Sequence, residues 1–95
     1  MRNNIKINHD EVLKAWRKPG NIIYSSYWMN YDRVLSHSDD GHKVTVISCD
    51  KTGTPLEGAK ERTHFTYPSD HDEAFDENGW SLGKFYDFRT KYIEL

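Results

Sequence analysis

Apolar and polar positions alternate most regularly in HKVTVISC, residues 42–49. Val44 and Val46 interleave with Lys43 and Thr45, and Ile47 and Cys49 follow on the second face. A period of two with β-branched side chains predicts a strand. The segment SDDGH before it carries an Asp-Gly turn signal, and YDRVLS (31–36) precedes that, so residues 33–48 read as a β-hairpin centred on Asp40-Gly41. NIIYSSYW (21–28) is rich in β-branched and aromatic types and predicts a further strand. There Tyr24, Ser26 and Trp28 would face one way, and Ser25 and Tyr27 the other. RTHFTY (62–67) predicts another strand, ended by Pro68, with Phe65 toward the core and His64 on the opposite face. GKFYDFR (83–89) predicts a short last strand.

The helical signal lies at the start. Asn8 is placed as an N-cap with Glu11 at N3, and Ile7 and Val12 are placed for a hydrophobic staple. Val12, Leu13 and Trp16 share one face, and Pro19-Gly20 stops the helix, giving a span of about 9–17. Such a short helix needs tertiary packing, which assigns Trp16 to a core. Residues 50–61 are turn chemistry, and residues 69–79 read as an acidic loop. Together these elements predict an α+β domain over residues 1–95, with one short N-terminal helix packed on a small curled antiparallel sheet of four or five strands. The same strands can alternatively close into an SH3-like small β-barrel.

Composition sharpens this. The hydrophobic share is only 36%, against 14% aromatic, and the mean hydropathy is −0.89. Aromatic rings therefore have to supply much of the core, and some of them remain for a contact surface. Residues 1–33 carry six basic and three acidic side chains, a net +3, and residues 34–95 carry seven and twelve, a net −5. This balance lacks the strong basic excess of a general nucleic-acid binder. Cys49 is the single cysteine, which excludes an internal disulfide and a cysteine-based zinc site and fits a buried small side chain in a reducing, cytoplasmic compartment. Neither a signal-peptide core nor a membrane-length apolar run is readable.

Chemistry is sparsely signalled. His37, Asp39, Asp40, His42, His64, Asp70, His71 and Asp72 are metal-ligand types, but their spacing matches no metal motif, and they read as solvated turns with no cofactor. No nucleophile elbow or phosphate loop occurs. A metal-independent ribonuclease needs a base, an acid and a cation. His64, Arg62 and His71, with Glu61 beside them, are the weak catalytic candidates. A nucleic-acid groove would draw on Arg2, Lys6, Lys14, Arg17 and Lys18 near Trp16, Tyr24, Tyr27 and Trp28. Protein contact needs only aromatic anchors in a polar rim. Tyr27, Trp28 and Tyr31, with Phe75 and Trp80 from the acidic-aromatic stretch, supply them. The leading expectation is a small non-enzymatic protein, of the kind found among phage and mobile-element accessory proteins. It would regulate or inhibit a larger protein partner by stoichiometric contact. Open sheet edges would also permit a homodimer.

Overall fold

The computed structural model describes residues 9–93. It shows an α+β fold in which helix α1 (His9–Trp16) precedes strands β1 (Ile22–Ser25), β2 (Asn30–His37), β3 (Lys43–Cys49), β4 (Arg62–Phe65), β5 (Glu73–Phe75) and β6 (Ser81–Lys84), and helix α2 (Phe85–Ile93) ends the chain. The six strands form one antiparallel sheet in the order β4-β3-β2-β1-β5-β6. It is open, with edges at β4 and β6, so the barrel alternative does not form. The expected N-cap Asn8 and staple residue Ile7 lie outside the described residues, as do Arg2 and Lys6.

The hairpin at Asp40-Gly41 forms as predicted, and Val44 and Val46 are buried as their alternation requires. Three expectations are corrected. The strand predicted over 21–28 stops at Ser25, because the chain turns at 26–29 into β2, which ends the alternation expected for Ser26, Tyr27 and Trp28. The acidic stretch 69–79 contains β5, whose Ala74 is fully buried between β1 and β6. The strand predicted at 83–89 is instead the end of β6 followed by α2. The sheet thus has six strands rather than four or five, and a second helix joins the first.

Both helices pack on one face of the sheet. Trp16 meets Phe85 and Phe88 edge-on, with ring centroids 5.0 and 5.1 Å apart, and Val12, Leu13 and Ala74 complete this core. Edge-to-face pairs of this kind add roughly 0.5–1.5 kcal/mol each beyond their buried area. The first amides of α2 are orphan donors by helix geometry. Phe85 and Tyr86 N–H donate to the carbonyls of Asp72 and Asp70. A second small cluster, Val34, Val44 and Val46, joins the first through Ile23.

α1 sits at the end of the sheet that holds the β2–β3 turn. Asp10 Oδ1 lies 2.6 Å from His42 Nε2, and Gly41 lies so close that a Cβ there would fall 2.9 Å from the Lys14 backbone nitrogen. The helix-side residues of β2 are Asn30, Asp32 and Val34, running from polar to apolar toward this end. The apolar half is covered and the polar half, toward the β1–β2 turn, is not.

Candidate functional site

The β1–β2 turn is built by Ser25. Its carbonyl accepts from Met29 N–H at 2.7 Å, and its hydroxyl accepts from Trp28 N–H at 3.1 Å. Met29 adopts φ 56°, a left-handed conformation that non-glycine residues enter mainly in turns. From the adjoining loop, Asp72 accepts the Ser26 N–H at 3.1 Å on Oδ1 and the Ser69 N–H at 2.9 Å on Oδ2. This buried carboxylate ties the turn to the segment that leads into β5.

So fixed, the turn presents Tyr27, Trp28 and Met29 to solvent at 79%, 73% and 75% exposure. The two rings meet edge-on at 4.8 Å. Three consecutive large apolar side chains held outward cost hydration that folding does not recover.

Of the other predicted contact residues, Tyr31 and Phe75 are half-buried on the face opposite the helices, in a row with Tyr24. The centroid distances are 4.8 Å for Tyr24–Tyr31 and 6.5 Å for Tyr31–Phe75. Trp80 is exposed, but it lies in the β5–β6 turn. Because Ile22 pairs with Phe75 and Tyr24 with Glu73, that turn is at the opposite end of the sheet from Tyr27 and Trp28. The five residues therefore belong to three places rather than one patch.

Next to the tip, the uncovered half of the helix-side face forms a cleft of about 480 Å³. Ser25, Asn30 and Asp32 line its floor, Arg62 and His64 line the β4 side, and Trp28 and Asp72 stand near the tip. Arg62 Nη2 donates to Asp32 Oδ1 at 2.6 Å and to Ser48 Oγ at 3.3 Å. A smaller recess of about 60 Å³ continues inward beneath Trp16 and Arg17. Sequence reading missed the burial of Arg17 and Asp72, and no local signal separates Arg17 from Lys14 or Lys18.

Of the weak catalytic candidates, His64 and Arg62 share this cleft, whereas His71 is exposed in the loop outside it and is not among its lining residues. Phe65 does not face the core as expected. It is 65% exposed on the helix-free face, and His64 is the one turned to the helix side. β4 is an edge strand, and on its helix-free face the Phe65 ring is met by the Lys43 ammonium, 5.1 Å from the ring centroid, rather than by a packed apolar layer. The expected nucleic-acid groove loses Trp16 and Arg17 to the interior, and Lys14 pairs with Glu11 at 2.8 Å.

Among the described residues, no three metal-ligand side chains converge, and no helix is long and apolar enough to cross a membrane. Comparison with known proteins gives no match to any family, curated protein or solved structure.

Proposed function

We propose that the chain is a small binding protein that regulates or inhibits a larger protein by stoichiometric contact, with the β1–β2 turn as its principal contact. The observation that supports this reading is the run Tyr27-Trp28-Met29, uncharged and turned outward on a hydrogen-bonded turn. Aromatic residues and methionine are the types enriched at protein interfaces, and a pre-ordered turn loses little entropy on docking. The ribonuclease reading has less support, because Arg62, its phosphate-binding cation, is engaged by Asp32 and Ser48.

The test is capture from a lysate of the source cells with wild-type, Trp28→Ala and Trp80→Ala proteins, each shown to be folded. The expected result is one dominant protein at a fixed stoichiometry, lost with Trp28→Ala and kept with Trp80→Ala. Recovery of nucleic acid alone, released by moderate salt, overturns the reading.

A further inference from the structure

The sheet ends at β4 on one side and at β6 on the other, and the two edges differ. β6 pairs with β5 through a register shift, carries Gly83 at φ +89° and turns directly into α2. A bulge and an adjoining helix are common ways of blunting an edge. β4 has neither. Its pairing with β3 is regular from Arg62 to Phe65 with no proline inside, and Thr66 N–H extends the ladder to the His42 carbonyl at 3.4 Å. Two bonds fix where its backbone groups point. In an antiparallel ladder a residue's N–H and C=O share a side, and successive residues alternate. The Lys43 carbonyl accepts from Ser38 N–H, so Lys43 and Thr45 turn to β2, and Val44 and Val46 turn to β4. The Thr66–His42 bond gives the same parity from the other strand. Arg62, His64 and Thr66 therefore bond inward, and Thr63 and Phe65 present N–H and C=O away from the sheet. Among the described residues, nothing bonds to these outer groups.

A row of unpaired backbone groups is a template for another strand. We infer that the β4 edge is a dimerisation surface, on which a second copy of this chain pairs its own β4 antiparallel about a two-fold axis at His64. A two-fold operation lets one edge serve as its own partner, and the side chains here suit it. The ladder runs from Arg62 to Thr66, so its midpoint is His64. About that midpoint Thr63 meets Phe65 of the second copy, and each gives the other both backbone bonds. Arg62, held by Asp32 at 2.6 Å, falls opposite Thr66 of the second copy, so the guanidinium faces no second cation. The exposed Phe65 ring is covered by Thr63 of the second copy and diagonally meets its own counterpart, within aromatic reach. A centre at Thr63 would instead set Arg62 against His64, and a centre at Phe65 would run Arg62 onto Pro68, beyond the ladder.

The full chain is followed by sedimentation equilibrium at pH 8, because two imidazoles meet at the axis and their protonated forms repel. The expected result is a reversible monomer–dimer equilibrium. Thr63→Pro deletes an N–H that points away from the sheet, a setting in which an edge strand tolerates proline. It should keep the circular dichroism spectrum and cooperative unfolding, and weaken the dimer by about ten-fold or more. The register has its own readout. Residues that face each other without mutual backbone bonds lie about 4.5 Å apart at Cα, within disulfide range. His64→Cys should therefore oxidise to a disulfide-linked dimer, mapped by mass spectrometry to residue 64 of both chains. It should link faster than Trp80→Cys in the β5–β6 turn, with Cys49 buried in both.

A chain that stays monomeric up to about 1 mM, a dimer unchanged by folded Thr63→Pro, or His64→Cys that links no faster than Trp80→Cys each overturn the proposal. If Thr63→Pro does not fold, the cross-link decides. Capture through Trp28 tests the tip separately, so either reading can fail alone.

Discussion

The buried guanidinium of Arg17 donates from Nη2 to the carbonyl of Thr66 at 2.7 Å, and to its hydroxyl Oγ1 as well. From Nη1 it donates to the carbonyl of Gly41 at 2.9 Å. One side chain thus joins α1 to the β2–β3 turn and to the segment after β4. Burial pushes its pKa down from 12.5 to about 10, so at neutral pH the charge is held at a cost that is relieved only as pH rises through that value. The hydrogen bonds offset this cost, and they depend on the fork. Arg17→Lys, which keeps the charge but loses the fork, is expected to destabilise by about 2–4 kcal/mol. A urea midpoint within error of wild type would refute this.

Gly41 has φ +78°, and a Cβ there would also lie 3.1 Å from Leu13 Cβ. Gly41→Ala combines left-handed backbone strain with a collision against the backbone of α1. The expected loss is about 2–4 kcal/mol, read as a lowered melting temperature. Alanine at Gly79, where φ is +85° but nothing lies within 4 Å, should cost less.

The thiol of Cys49 is buried, and desolvation, reinforced by Asp32 and Asp50, pushes its pKa from 9.0 up to about 11. At pH 8 its thiolate is then scarcer than in the unfolded chain by about 100-fold. Alkylation by iodoacetamide should be slower in buffer than in urea by at least that factor. Comparable rates in the two would show an open, reactive cysteine.

Three exposed carboxylates are held below their usual 3.8: Asp40 by the Ser38 hydroxyl and the His42 amide, Asp50 by the hydroxyl and amide of Thr52, and Asp70 by Arg89. A depressed folded-state pKa contributes stability that is fully present above the unfolded value and is lost as pH falls through the folded one. The urea midpoint should therefore be flat above pH 5 and decline below pH 4. Asp50→Asn and Asp70→Asn together should make that decline shallower, and an unchanged slope would remove these groups as its source.

Where a signal was local, it could be read. α1 follows from its apolar face and from Pro19-Gly20, and the β2–β3 hairpin from Asp40-Gly41 and the alternation at Val44 and Val46. α2 was hidden because Phe85, Tyr86 and Phe88 are types that favour strands. Its helical logic, Phe85 and Phe88 three apart, emerges only with Trp16 as their common partner. β5 has three residues in an acidic context and exists through pairing on both sides. The exposed tip was legible as residues but not as a place. Tyr27 and Trp28 were read as strand, and their grouping with Trp80 ignored a register that sets the two turns at opposite ends. The cleft had no signal, since it depends on how much of the sheet α1 leaves bare.

That bare area comes from a mismatch of lengths. The eight residues of α1 rise about 12 Å, whereas the eight residues of β2 extend about 26 Å. Even laid along the strand, the helix would shelter less than half of it. The chain fixes this ratio at Pro19-Gly20, where proline cannot continue the helix and glycine takes φ +98°. The cleft is accordingly a by-product of where a helix stops, and its extent is set by two residues that are not among its lining.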